Sequence, residues 1–196
     1  MSPAYRTLNV APLQKGATYV KPRQQVVGSV TMDQPALSVL TDFSAVTAQT
    51  ILPLESIEAA RAKMIHHGVR MLLVTDDQNH ILGIITATDL TSERPMRVIQ
   101  TQGIRHADVL VKDIMTPREK LEVICIDDLQ NAKVGDVVTT LQSQGRQHAL
   151  VVERQPDRSQ ILRGLFSASQ IGRQLDMPIH TLPVARTFAE IAQLSD

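Results

Sequence analysis

The first regular element that the apolar pattern predicts is a helix beginning at Ile57. Ile57, Ala60 and Met64 follow one another at the spacing of a single helical face. Ser56 is suited to the N-cap position, and Gly68 is suited to end the helix. The pattern therefore predicts a helix over residues 57–67.

Two short apolar runs follow this helix and predict a β-hairpin. Residues 71–74 and 81–85 are strand-like, and the polar turn 76–79 lies between them. Weaker apolar positions at 46–51 predict one more strand before the helix. A short helix is predicted at 94–102, where Pro95 is tolerated only in the first turn.

The same order of elements returns in the second half of the chain. One helical face is apolar there, and its members are Val134, Val137, Val138 and Leu141. Gly145 ends this helix, and strands are predicted at 121–126, 149–152 and 161–166. The spacing from Gly145 to Gly164 is longer than that from Gly68 to Gly83, so we predict a longer polar loop at 153–160.

Each half ends in one signature, in which a glycine and apolar residues lead to a hydroxyl side chain and a helix start. The first copy is GIITATDL at 83–90, and the second is GLFSASQI at 164–171. Such a repeat indicates two copies of one small unit, and neither copy buries enough apolar surface alone. We predict an α+β fold of two pseudo-symmetric units, each a small three-stranded sheet packed on two helices. Function is then expected in the cleft between them.

The composition excludes several classes of function. The chain has 20 Lys and Arg residues against 20 Asp and Glu residues, so no global field steers it to nucleic acid or to an anionic membrane. The single cysteine, Cys125, lies in an apolar run and is predicted to face a core, which leaves no disulfide framework. No apolar run has the length of a membrane span, and the start of the chain lacks a signal-peptide pattern. We expect a cytoplasmic protein that binds neither membrane nor nucleic acid.

These features together resemble a tandem pair of CBS domains, the arrangement called a Bateman module. The resemblance rests on the repeated signature, on IMTP at 114–117, on the weaker VLTD at 39–42 and on SIEAA at 56–60. It implies an N-terminal arm at 1–36, a first CBS domain at 37–102, a second CBS domain at 103–176 and a C-terminal tail or helix at 177–196.

Both ends of the chain leave two interpretations open. Residues 1–32 contain four cations and no carboxylate. They form either an arm that covers the body or a partner subunit, or a basic tail for an acidic partner. The tail carries one apolar face, with Val184, Phe188, Ile191 and Ala192, which suits either a packing helix or a partner contact.

The resemblance implies that the first signature binds an adenosine nucleotide. Its contact residues would be Gly83, Ile84, Thr86, Thr88 and Asp89. Glycine allows close approach of the backbone, Thr86 adds a hydroxyl at a helix start suited to phosphate, and Asp89 offers two acceptor oxygens to a ribose diol.

The second signature departs from the family pattern. It supplies Ser167 and Gln170, and Gln170 has no charge where the family has Asp or Asn. We therefore expect one nucleotide per chain rather than two. Four residues at the glycine-to-strand junctions complete the predicted nucleotide site: Arg70, Met71, Arg146 and His148. The cations among them either neutralise phosphate or serve only as surface and packing residues.

Helix capping explains both signatures without any ligand. Thr86 with Asp89, and Ser167 with Gln170, both have the spacing of a capping box. We interpret Thr86 and Asp89 as ligand contacts and Ser167 and Gln170 as caps.

The resulting hypothesis is a regulatory, energy-sensing module. It binds AMP, ADP, ATP or S-adenosylmethionine, has no obligatory cofactor and no metal, forms a homodimer and signals to an unknown protein target. The alternative is a structural or dimerisation module whose site is degenerate. We do not expect an enzyme, because no nucleophile and base form a recognisable constellation.

Overall fold

The computed structural model describes residues 30–181. Its strands are β1 (Thr41–Asp42), β2 (Thr50–Ile51), β3 (Met71–Thr75), β4 (Ile81–Thr86), β5 (Thr116–Pro117), β6 (Val123–Cys125), β7 (His148–Arg154) and β8 (Gln160–Ser167). Its α-helices are α1 (Ile57–His67), α2 (Ala87–Thr91), α3 (Arg94–Gln102), α4 (Val111–Ile114), α5 (Val134–Ser143) and α6 (Ala168–Gln174). The predictions for residues 1–29 and 182–196 lie outside the described residues.

The sequence signals for α1 act as predicted. The Ser56 hydroxyl accepts a hydrogen bond of 3.1 Å from the Ala59 N–H, which caps the helix. Gly68 ends it in the left-handed conformation, with φ of 63°. The face with Ile57, Ala60 and Met64 is buried in the core of the first unit. The predicted helix at 94–102 is also confirmed, as α3.

Two four-stranded sheets form the framework, with the strand orders β2-β3-β4-β5 and β1-β8-β7-β6. The parallel pairs β2–β3 and β6–β7 and the antiparallel hairpins β3–β4 and β7–β8 repeat one scheme. The α+β fold of two similar units is therefore confirmed. Each sheet carries a fourth strand beyond the three that we predicted.

The fourth strands are exchanged between the halves of the chain. β1, which precedes the first unit, pairs with β8 of the second, and β5 pairs with β4 of the first. A Cβ atom at Gly83 would overlap the carbonyl oxygen of Thr116, and one at Gly164 would overlap that of Thr41. The two signature glycines therefore admit the edge strands. At Gly83 the close approach is made by this backbone, and the contact of Gly83 with a ligand stays a prediction.

Residues that precede the first unit in the chain pack against the second unit. The predicted domain limits describe only the order along the chain, and they remain a prediction. Val39, predicted to belong to the first domain at 37–102, and Ala36, predicted to end the N-terminal arm at 1–36, both belong to the core of the second unit. Arg163 of β8 forms a bidentate ion pair with Asp42 at 2.8 and 2.9 Å, which lowers the pKa of that carboxyl far below its usual range. This pair fastens the exchanged strand β1 to the second unit.

Three apolar clusters hold the molecule together. One lies between α1 and the first sheet, and a second lies between α5 and the second sheet. The third contains Met71 and Leu73 of β3 and Leu150 of β7, so it joins the two sheets. The apolar faces of α1 and α5 are buried in the cores of their own units.

The second hairpin differs from the prediction of a long loop at 153–160. The ladder continues through the pairs Glu153–Ile161 and Arg154–Gln160. Only a tight turn remains, with Gln155 and Ser159 joined by a 2.9 Å backbone hydrogen bond and Arg158 at φ of 69°. The additional residues lengthen both strands because backbone pairing satisfies polar groups that a loop would leave to water.

Candidate functional site

Two cavities lie between the units, one beside each signature. The first cavity, of about 350 Å³, is lined by Thr86, Thr88 and Asp89 together with residues of the second unit, including Arg146 and His148. The second cavity, of about 540 Å³, is lined by residues of both units that include Ser167, Gln170, Arg70, Met71 and His148. Of the predicted site residues, Ile84 also lines the first cavity, whereas Gly83 lies behind it beneath β5.

The two cavities are related by the strand register. Met71 lies opposite Thr86 in the first hairpin, just as His148 lies opposite Ser167 in the second. Thr116 on β5 and Thr41 on β1 take equivalent places beside the two signatures. Residues at equivalent positions can therefore be compared directly, above all Asp89 with Gln170.

In the first cavity, Asp89 closes a capping box with Thr86. The Asp89 N–H donates to the Thr86 hydroxyl at 3.2 Å, and the Thr86 N–H donates to Asp89 Oδ2 at 2.8 Å. The Thr86 hydroxyl donates to the same oxygen at 2.7 Å. Capping is thus realised where we favoured a ligand contact. The contact between Asp89 and a ribose stays a prediction.

The remaining oxygen of Asp89 is held by Arg94 on α3. Arg94 Nη1 donates to Asp89 Oδ1 at 2.8 Å and to the Ile114 carbonyl oxygen at 2.9 Å. It also reaches the Thr116 hydroxyl at 3.3 Å, so it ties α2, α3, α4 and β5 together. Asp89 is 8% exposed, and its charge is compensated within the protein.

Arg146, the predicted phosphate contact of the first cavity, also has a carboxylate partner. Its Nη2 lies 2.9 Å from Glu122 Oε2, and both residues line the first cavity together with Lys120. The first cavity therefore contains cations and carboxylates that face one another. A phosphate there would have to compete with Glu122 for Arg146.

The second signature does not form a capping box. Ser167 makes no cap hydrogen bond, and its hydroxyl lies 3.1 Å from that of Ser169. Gln170 Oε1 accepts a hydrogen bond of 2.8 Å from the Thr41 hydroxyl on the exchanged strand β1. The interpretation of Ser167 and Gln170 as caps is therefore wrong, because the side chain of Gln170 bridges to β1 instead of turning back to the start of α6.

The second cavity combines cations with an apolar wall. Arg70 and Arg173 line it, and none of the described residues around it is a carboxylate. Within residues 30–181, neither arginine forms an ion pair. The wall is formed by Phe43, Val46, Met71, Leu73 and Leu165. This arrangement can enclose a flat apolar group and compensate an anionic one.

Comparisons with known proteins agree with this geometry. The family model described as "CBS domain" matches residues 27–95. An uncharacterized conserved protein from Pyrococcus horikoshii superposes with a TM-score of 0.51 and 21% identity, over 72% of this chain and 92% of that protein. CBSX2, a CBS-pair protein from Arabidopsis thaliana, superposes in its complex with AMP with a TM-score of 0.51 and 19% identity, over 71% of this chain and 94% of CBSX2. The chain has the fold of a tandem pair of CBS domains. No curated protein matches the sequence.

His148 is the residue that the two cavities of the CBS pair share. Burial and, to a smaller extent, the nearby charge of Arg70 lower the pKa of its imidazole to about 4, against the opposing effect of Asp89. The ring is therefore neutral at pH 7. It can offer a ligand one hydrogen bond, but it does not supply the positive charge that we predicted for phosphate.

Arg173 and Phe43 are among the lining residues of the second cavity that the sequence prediction did not include. Arg173 lies three residues after Gln170, on the same side of α6, and this spacing was a usable signal. Phe43 directly follows the VLTD segment, but its approach to the cavity depends on the exchange of β1. Only the three-dimensional pairing reveals that contact.

In residues 30–181, no three His, Cys, Asp or Glu side chains converge as a metal site would require. No helix in that part of the chain has the length and apolarity needed to cross a bilayer.

Proposed function

We propose that this CBS pair is a regulatory module that binds an adenosine-type nucleotide in the second cavity. The observation that carries the proposal is the combination of Arg70 and Arg173 with an apolar wall in a cavity that lacks a carboxylate among its described residues. Phosphate needs the cations, and a purine needs the wall. The complex of CBSX2 with AMP supports this ligand class, because that protein shares the fold.

The choice of cavity reverses the expectation from sequence. The first signature matches the family pattern better, but both Asp89 oxygens and the guanidinium of Arg146 already have partners within the protein. The second signature matches less well, and its cations have no such partners in the described residues. Binding to groups that need no prior separation from a partner costs less free energy.

Signalling follows from the place of the cavity between the units. A ligand there contacts Arg70 and Met71 of the first unit and Leu165 and Arg173 of the second. Occupancy favours the relative position of the units in which both sets of contacts are made. We propose that a protein target responds to this position and that the module performs no chemistry of its own.

Calorimetry of the full chain with AMP, ADP, ATP and S-adenosylmethionine tests the proposal. Arg70→Gln, in the second cavity, should weaken the binding of AMP about tenfold, which is the loss of one charge-assisted hydrogen bond. The matched variant Arg146→Gln, in the first cavity, should change binding less than about threefold. If Arg146→Gln gives the larger loss, the first cavity is the site.

A structural module without a ligand is the second candidate function. It is favoured by the ion pair and capping box of Asp89, which occupy the first signature with interactions inside the protein. Absence of binding at millimolar concentrations of all four compounds would support this candidate and reject nucleotide sensing. The homodimer remains a prediction, and light scattering of the full chain measures it.

A further inference from the structure

The direction of one hydrogen bond distinguishes the two cavities. At the first signature, Asp89 has only acceptor oxygens. At the equivalent place in the second, Gln170 Oε1 is already engaged by the Thr41 hydroxyl at 2.8 Å. What Gln170 has left is its amide N–H groups, and within residues 30–181 they donate to no side chain or backbone oxygen. The second cavity therefore presents a donor where the first presents an acceptor.

Other groups that can donate hydrogen bonds line the same cavity. Arg173 lies three residues further along α6 and lines the same cavity, as does the hydroxyl-bearing Ser169. Arg70 adds a cation from the opposite unit. Groups that can donate hydrogen bonds, two of them charged, thus line this cavity. A ribose diol, which donates two hydrogen bonds to a carboxylate, finds no charged acceptor among the described lining residues.

We propose that the second cavity binds the phosphate group of its ligand against Gln170 and Arg173, and that it does not recognise the ribose diol there. This inference rests on the proposed function and specifies its ligand class. The cavity selects compounds that carry a phosphate on an apolar ring system and accepts deoxyribose as readily as ribose. Phosphate oxygens accept from both the amide and the guanidinium, whereas a hydroxyl group gains only neutral hydrogen bonds.

The test compares three ligands by calorimetry on the full chain: AMP, 2′-deoxy-AMP and adenosine. AMP and 2′-deoxy-AMP should bind with dissociation constants within about threefold of each other, and adenosine should bind at least tenfold more weakly. Raising the salt concentration should weaken the binding of AMP and leave that of adenosine nearly unchanged.

Variants assign the effect to the residues named. Gln170→Glu keeps the length of the side chain but replaces the donor with a carboxylate, so it should weaken AMP more than tenfold and adenosine less than threefold. Arg173→Gln, at an exposed position, should give a loss of about tenfold for AMP and serves as the test even where Gln170→Glu does not fold. Arg97→Gln is the control, since Arg97 lies on α3, outside both cavities, and should leave all three affinities unchanged.

The possible failures are distinguishable. If none of the three ligands binds, the proposed function itself is wrong. If AMP binds but 2′-deoxy-AMP binds more than tenfold more weakly, the diol is recognised and this inference is overturned, while nucleotide sensing stands. Equal affinities for AMP and adenosine, or an unaffected Gln170→Glu variant, would overturn it as well.

Discussion

The two cavities arise from one repeated scheme but use their polar residues differently. In the first, Asp89 and Arg94 compensate each other and hold four elements together. In the second, Gln170 bridges to β1 and leaves the charges of Arg70 and Arg173 without ion-pair partners in the described residues. The copy that matches the family signature better is therefore the more structural one. A sequence signature identifies where a site lies. Whether the charged residues of that site can bind a ligand depends on whether they already have partners within the protein.

The largest expected difference between the cavities is in stability. Arg94→Ala leaves the buried carboxylate of Asp89 without its cation and should lower the free energy of unfolding by roughly 3 kcal/mol. Arg173→Ala, at the second cavity, removes no ion pair within the described residues and should cost less than about 0.5 kcal/mol. Urea denaturation of the two variants measures this difference.

A double variant controls for the loss of the Arg94 side chain itself. Arg94→Ala combined with Asp89→Asn removes both charges, so it should be more stable than Arg94→Ala alone. If the double variant is no more stable than Arg94→Ala alone, Arg94 acts by packing, and the two cavities do not differ in electrostatic stabilisation.

The shared histidine provides the next effect, through pH. The pKa of His148 is about 4 in the folded protein and about 6.5 when unfolded, so protonation favours the unfolded chain. The stabilisation by neutral His148 is complete above pH 6.5 and is lost as the pH falls toward 4. Between pH 7 and pH 4 the unfolding free energy should fall by about 2 kcal/mol more in the wild type than in His148→Gln.

The free energy of unfolding of the wild type and of His148→Gln, measured over the same pH range, gives this contribution, because the effects of the other titrating groups cancel in the difference. Among charged groups, Arg70 and Asp89 act on the imidazole from the two sides. If the profiles run parallel, His148 is exposed to water and does not connect the cavities.

The smallest effect concerns the two helix starts. Thr86→Ala removes a hydroxyl that caps α2, and it should cost about 1 kcal/mol of stability. Ser167→Ala removes a hydroxyl that does not cap α6 and that, within residues 30–181, bonds only to Ser169, so it should cost less than about 0.5 kcal/mol. Equal losses in thermal or urea denaturation would mean that both signatures cap their helices alike.

The elements of this fold were predictable because their signals are local. The cap at Ser56, the glycine at 68 and the apolar face of α1 lie within one short segment, and the structure follows them. The exchange of β1 and β5 was not predictable, since each is a two-residue strand whose partner is remote in sequence. The bond of Gln170 was hidden for the same reason, because Thr41 is remote from it in sequence. For Asp89, the capping spacing with Thr86 was visible in the sequence, and Arg94 follows five residues later, but no spacing rule indicated that Arg94 turns back onto this carboxylate.

The exchanged edge strands also make the units nested rather than consecutive. The first sheet is complete within residues 50–117, whereas the second begins at residue 41 and closes only with β8 at residue 167. During synthesis, the first unit, which is the inner one, can therefore fold before β8, the partner of β1, has been made. The outer unit forms last, and its closing strand brings Leu165 and Ser167 to the second cavity. The site with binding capacity thus exists only once nearly the whole described chain has left the ribosome.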